Sequence, residues 1–195
     1  MDETIGESDA THLRHAFALA AKARALGDRP FAAVIITEDG ITLAEGLSTQ
    51  GKGGGGTLAH SEMNACQAVI AAGIPRPRLR RATIYSSGEP CAMCAAAIFY
   101  TGIGRVVYGL SAAAILHLRN AQPHTAGLSL SCRAVLDSAA EAVEVIGPCL
   151  RPMAPSPMTA TGRPARDEVG MTGAQPSASA QQTNSPVDLD YENSI

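Results

Sequence analysis

Apolar positions along the first 150 residues switch repeatedly between a helical period and a strand period. Leu13, Phe17, Ala20, Ala21 and Arg24 recur at helical spacing, with Ser8 available as an N-cap and Gly27 as a stop. Residues 31–37 then form a short buried-strand run, 38–40 a turn, and 41–47 the returning strand. A glycine-rich loop over 51–56 leads into a helix from about 60 to 72, which Gly73, Pro75 and Pro77 end. A strand over 82–86, a helix over 91–100, a strand over 105–110 and a short strand over 143–146 follow. The 32 residues between Leu110 and Val143 are enough for a crossover with its own helix, so the last two strands can run parallel. Alternating strands and helices around one mixed sheet predict a layered α/β domain.

Composition bounds this picture. A chain of 195 residues with 46% hydrophobic and 17% charged residues fits a globular domain with one core. Beyond Pro148 the character changes: 18 of the 45 residues in 151–195 are Pro, Ser, Thr or Gly, and the only aromatic there is Tyr191. Such a stretch cannot bury enough apolar surface to offset its ordering entropy, so residues 1–150 are expected to fold and 151–195 to form a disordered tail. No run reaches the ~18 apolar residues of a membrane span, and the acidic Met1-Asp2-Glu3-Thr4 start does not resemble a signal peptide. A cytoplasmic location without a membrane partner is the expectation. Residues 1–150 hold 12 Lys+Arg against 13 Asp+Glu, and the whole chain carries −3, which argues against a nucleic-acid partner.

Two short segments carry the chemistry. His60-Ser61-Glu62 opens one predicted helix, and Glu89-Pro90-Cys91-Ala92-Met93-Cys94 opens another. Pro90 suits a helix entry, and two cysteines three apart at a helix start can aim their sulfurs at one point. A lone C-x-x-C also fits a structural zinc or a redox pair. The joint pattern, H-x-E upstream of P-C-x-x-C, is the signature of zinc deaminases. His60, Cys91 and Cys94 are therefore the expected ligands of one Zn2+ per chain, with a fourth position open for water. Glu62 is the expected proton carrier: zinc lowers the pKa of a bound water toward ~7, and a neighbouring carboxylate can pass the proton on to the departing amine.

Other features are assigned to structure. Gly51-Lys52-Gly53-Gly54-Gly55-Gly56 lacks the Gly-Lys-Ser/Thr lead into a helix and reads as a flexible loop. Cys66, Cys132 and Cys149 read as small buried hydrophobes, and His12, His15, His117 and His124 have no ligand spacing. Arg76, Arg78, Arg80 and Arg81 form the one basic cluster and read as a solvated loop. Tyr100 has two open readings, core packing and a substrate contact.

From about Ala16 to Leu150 the sequence resembles the cytidine deaminase-like superfamily. It is most similar to the branch of bacterial guanine and cytosine deaminases and tRNA-adenosine deaminases. Besides the metal segments, Asp28-Arg29-Pro30-Phe31-Ala32-Ala33-Val34 and Gly104-Arg105-Val106-Val107-Tyr108-Gly109 carry the likeness. The resemblance implies a three-layer α/β/α fold with a five-stranded mixed sheet, a homodimer, and hydrolytic replacement of a ring amine by oxygen. By position it also implies substrate contacts at Phe31, Ser48, Tyr100 and the Ala59 and Ser87 backbone. Three departures stand out. Ser48 replaces the Asn that hydrogen-bonds the base in relatives. No Asp or Glu occurs between Ser111 and Leu136, where guanine deaminases carry an acidic residue. The aromatic C-terminal helix of many relatives is replaced by the polar tail. The expected substrate is a free nucleobase, a nucleoside or a similar amino-heterocycle. A tRNA-adenosine deaminase and an inactive zinc-stabilised binding module are the alternatives.

Overall fold

The computed structural model describes residues 5–118 and 128–149, all within one compact unit of the chain. The tail over 151–195 and His124 lie outside the described residues. α1 (Glu7–Ala25) turns Leu13, Ala16, Leu19, Ala20 and Ala23 inward at helical spacing. Glu7 and Asp9 in its first turn and Lys22 and Arg24 in its last complement the helix dipole. The helix starts one residue before the predicted cap: Gly6 occupies the N-cap and Ser8 lies inside the first turn. Gly27, at φ +85°, turns the chain out of the helix as expected.

β1 (Ala32–Ile36) and β2 (Thr42–Leu47) form an antiparallel hairpin, and β1 also pairs antiparallel with β3 (Thr83–Gly88). β4 (Arg105–Leu110) and β5 (Glu144–Ile146) then add in parallel, giving the order β2-β1-β3-β4-β5. Among the described residues the crossover between β4 and β5 holds two short helices, α5 (Ala112–Leu118) and α6 (Cys132–Asp137). The expected parallel pair and five-stranded mixed sheet are both present. α2 (Ser61–Ala71), α4 (Ala92–Thr101) and α6 cover one face of the sheet over a core that includes Ile35, Val69, Ile84, Ile98 and Val106. α1 covers the other face over Leu13, Val34, Ile36, Tyr85 and Val107. The layers are thus α/β/α. β1 and β3 are buried along their whole length, as central strands must be.

One stretch expected to be a loop is helical. Arg76–Leu79 forms the short helix α3 after Pro75, because Pro77 falls in the first turn, where its missing N–H costs nothing, and Leu79 anchors the turn in the core. The arginines around it bind other elements. Arg76 reaches Glu141 at 3.1 Å, Arg81 reaches Glu38 at 2.7 Å, and Arg80 donates to the Ala142 carbonyl.

Register decides which residues share an edge. Ala32 pairs with Leu47 and Ala33 with Ser86, so Phe31, Ser48 and the end of β3 meet at one edge of the sheet. Thr83 and Arg105 lie at the opposite edge. There Arg105 holds both oxygens of Asp9 at 2.8 Å, and the Tyr85 hydroxyl donates to Asp9 at 2.7 Å. This network ties α1 to β3 and β4. The Arg105 guanidinium holds the Asp9 carboxyl below its usual range, against the opposing effect of burial. The Tyr85 hydroxyl is pushed up to about 12, first by burial and then by its bond to Asp9.

A carboxyl with a lowered folded pKa stabilises the fold above its unfolded value of 3.8, and that stability fades as pH falls through the lower folded value. Asp9→Asn should cost about 1–3 kcal/mol at neutral pH, because the partly buried Arg105 loses its two-oxygen partner and keeps Glu144, at 2.9 Å. It should also flatten the loss of stability below about pH 4. Denaturant unfolding of both proteins across pH 2–7 measures both effects; parallel acid limbs would remove Asp9 from this role.

Candidate active site

Two helices begin at the same place. His60 is the N-cap of α2 and Cys91 the N-cap of α4, both with extended backbone (ψ 154° and 170°), so each side chain projects from a helix mouth. Cys94 lies one turn into α4 and is fully buried, whereas Cys91 is exposed. Pro90, also fully buried, sets the bend between β3 and α4. The donor atoms converge: His60 Nδ1 is 3.5 Å from Cys94 Sγ and 3.7 Å from Cys91 Sγ, and the two sulfurs are 3.6 Å apart. A tetrahedral zinc with Zn–S near 2.3 Å and Zn–N near 2.0–2.1 Å needs donors roughly 3.5–3.8 Å apart. The triangle therefore fits zinc. Among the described residues no fourth Cys, His or carboxylate joins this group, so a position stays available for water or substrate.

The electrostatics match the donor set. The hydrogen bond between the two cysteines pulls Cys91 down to about 4 against the effect of burial, with a further contribution from His60. The same contact, together with burial, pushes the Cys94 thiol up. A cation held between them favours the thiolate form of both. His60 is raised, chiefly by its bond to Cys91, while burial and, less strongly, Arg29 oppose the shift. Both helix N-termini place positive partial charge beside the sulfurs.

Glu62 sits in the first turn of α2, 6% exposed and close enough to Cys94 to hydrogen-bond it. Its Oε1 accepts from Ser86 Oγ at 2.7 Å and its Oε2 from Ser61 Oγ at 3.1 Å. The carboxylate is thus held beside the metal position outside the donor triangle.

The proposed substrate contacts fare differently. Phe31 lies at the site edge, where a Cβ on Gly88 would meet Ile115 Cδ1 at 2.8 Å and the Phe31 ring at 3.3 Å. Gly88 makes room for those two side chains, which form an apolar wall with the end of β3. Ser48 is 1% exposed, and its hydroxyl donates to Gln50 Oε1 at 3.4 Å. The Ala59 backbone bonds within its own loop, donating to the Gly56 carbonyl and accepting from Thr49 N–H. The Ser87 hydroxyl accepts from Ala32 N–H on the neighbouring strand. Tyr100 is set apart: it is 79% exposed, and six residues past Cys94 puts it about 120° round the helix and ~9 Å along it. Its ring packs edge-on against Phe99.

The glycine loop is less free than its composition suggests. The Asp28 carboxylate accepts from the N–H groups of Gly51 and Gly53, and Gln50 Nε2 donates to the Thr57 carbonyl at 2.8 Å. Cys66 and Cys132 are buried as expected, with thiols pushed by desolvation up to about 11 and about 12. Cys149 is partly exposed, contrary to expectation.

Several residues of the site escape a sequence reading. Glu89 accepts from Ala112 N–H at 2.9 Å and Cys132 N–H at 3.2 Å, holding the starts of α5 and α6 to the cysteine turn. Glu89 stands in the cysteine segment, but no local spacing shows that it binds the starts of α5 and α6, and none links Ile115 to the site. Ser61 and Ser86 left a faint signal: Ser86 shares the inward register of Ile84, an unusual place for a hydroxyl.

The comparisons with known proteins agree with this geometry. Residues 6–110 match the family described as the cytidine and deoxycytidylate deaminase zinc-binding region. A probable cytosine deaminase of Schizosaccharomyces pombe is 32% identical over 145 residues, 74% of this chain and 86% of that protein. A tRNA-specific adenosine deaminase of Haemophilus influenzae is 38% identical over 110 residues, 54% of this chain and 60% of that one. The solved guanine deaminase of Bacillus subtilis superposes with a TM-score of 0.51 at 27% identity, covering 58% of this chain and 69% of that chain.

Removal of one sulfur tests the donor set. The wild-type protein should carry about one zinc per chain, and Cys94→Ala or Cys91→Ala should lose metal and thermal stability together. Metal content by mass spectrometry decides this, and full occupancy in either variant would break the ligand assignment. The donor triangle, the adjoining carboxylate and the match over residues 6–110 together place this chain in the cytidine and deoxycytidylate deaminase family, as a zinc-dependent hydrolase of ring-bound amines.

Proposed function

We propose that the protein deaminates a free nucleobase, a nucleoside or a similar small amino-heterocycle, as a cytoplasmic homodimer. The observation that carries the substrate class is the separation between the site and the basic residues. Arg76, Arg80 and Arg81 precede β3 and bind Glu141, the Ala142 carbonyl and Glu38, while the metal donors follow the other end of that strand. Six residues at ~3.3 Å each put about 20 Å between them. A polyanion at the metal would lie away from this basic cluster, with Arg29 as the cation whose field reaches His60. The wall formed by Phe31, Ile115 and Gly88 suits a planar ring instead. The similarity to a cytosine deaminase over most of that protein's length supports the same class.

His60, Cys91 and Cys94 would hold zinc, which would supply a Lewis acid that brings the pKa of a water toward ~7. Glu62 takes one proton from a water at the site and returns it to the amine as the carbon–nitrogen bond breaks and a carbon–oxygen bond forms. The second proton of the water ends on the ring nitrogen, so the products are the oxo-heterocycle and ammonia. The apolar wall excludes competing water and holds the ring flat.

Tyr100 and Ile70 (61% exposed) put apolar surface on the outer side of the α2/α4 layer, which favours a second copy as its cover. Thiolate ligands need a reducing compartment, and no described helix is long and apolar enough to cross a membrane.

Glu62→Gln should keep zinc and fold while losing at least ~10²-fold in turnover. Loss of zinc in that variant would make Glu62 a ligand and overturn the mechanism. For the substrate, ammonia release should be measurable from at least one of a panel of free bases, nucleosides and triazines, with KM nearly constant between low and moderate salt. Inosine formation in an anticodon stem-loop, with no turnover of any small heterocycle, would instead establish the tRNA activity of the Haemophilus influenzae relative.

A further inference from the structure

Ser86 occupies an unexpected position. It lies in β3, the central strand, paired with Ala33 on one side and Tyr108 on the other. It is 0% exposed and shares the inward face with Ile84, where alanine would pack equally well. A hydroxyl placed there must find a partner, and its partner is Glu62 Oε1 at 2.7 Å. Ser61, also fully buried, donates to the other oxygen at 3.1 Å.

The two bonds differ in kind. Ser86 stands on backbone fixed by ladders on both sides and makes the shorter bond, so it holds Oε1 from an element other than the helix that carries Glu62. Ser61 sits on the same helix turn as Glu62, moves with it and makes the longer bond to Oε2. The longer bond is the weaker one and the easier to open.

We infer that Ser86 is a positioning residue that fixes Oε1 of Glu62, leaving Oε2 as the oxygen that takes the proton from water and returns it to the departing amine. The proton balance closes on Oε2: it gains one proton from water and loses it to the amine, and the carboxylate is restored with Oε1 bound to Ser86 throughout. This assignment rests on Glu62 being the proton carrier and is independent of which ring is the substrate.

Two readouts test it. The first is stability without substrate. Ser86→Ala should lower the melting temperature by several degrees in the wild-type background and by much less in Glu62→Ala, where the clamp is already gone, with zinc content equal within each background. Equal shifts in the two backgrounds would show that Ser86 only packs. The second is kinetic, with cytosine, guanine and their nucleosides as probes. Ser86→Ala should reduce kcat about tenfold or more with KM within about threefold, because positioning matters most in the transition state. Ser86→Thr, which keeps the hydroxyl, should restore most of kcat, and Ser61→Ala should cost less than Ser86→Ala. Equal impairment of the Ala and Thr variants, or a larger loss from Ser61→Ala, would overturn the assignment. Failure of every probe base to react would count against the substrate class alone, because the stability cycle still reads the clamp.

Discussion

Two helix N-termini brought to one point are the constraint on which the site depends. Three donors 3.5–3.7 Å apart must all face inward, and each needs the positive end of a helix nearby to favour its metal-binding form. α2 and α4 meet this requirement because both lie on the same face of the sheet and both start at the same edge. β3 supplies the coupling: it runs to that edge, bends at Glu89-Pro90 and delivers Cys91 to the mouth of α4. A shift of β3 by one residue would turn Ser86 and Ile84 to the α1 face and carry Cys91 away from His60.

The same edge collects the rest of the machinery. Glu89 receives the first amides of α5 and α6, so the crossover after β4 is tied to the turn that carries the cysteines. Ile115, brought in by α5, completes the apolar wall with Phe31 in the space left by Gly88. Asp28 pins the glycine loop that leads to His60. These contacts fix the loops and short helices around the donors, so the donors and the carboxylate are preorganised before any ligand arrives.

The opposite edge is built for stability. Asp9, Arg105 and Tyr85 lock α1 to the sheet, and the arginines before β3 fasten α3 to the hairpin turn and to the segment before β5. The division between a stabilising end and a chemical end follows from strand direction, since the cysteine turn follows the C-terminal end of a parallel strand.

His60, Glu62, Cys91 and Cys94 were legible in the linear chain because one spacing lies within a helix turn and the other within a helix mouth, and local geometry alone brings each pair to one face. The strand order was partly legible too: a 32-residue connection allowed the parallel β4/β5 pair, and turn residues marked the β1/β2 hairpin. Contacts between distant segments were not legible. The Ser86 bond to Glu62 spans 24 residues, and the Asp9 bond to Arg105 spans 96. No periodicity encodes such pairs. Tyr100 illustrates the same limit, since its place in the chain near the cysteines suggested a role that the turn of α4 carries away from the metal. The sequence by itself determined the metal site, the carboxylate beside it and the kind of fold, because these depend on short-range spacing and period. Which hydroxyl holds the carboxylate, which side chains meet beside Gly88 and where the arginines of the basic cluster bind were decided only by tertiary structure, because strand register and layer packing bring together residues that no local rule relates.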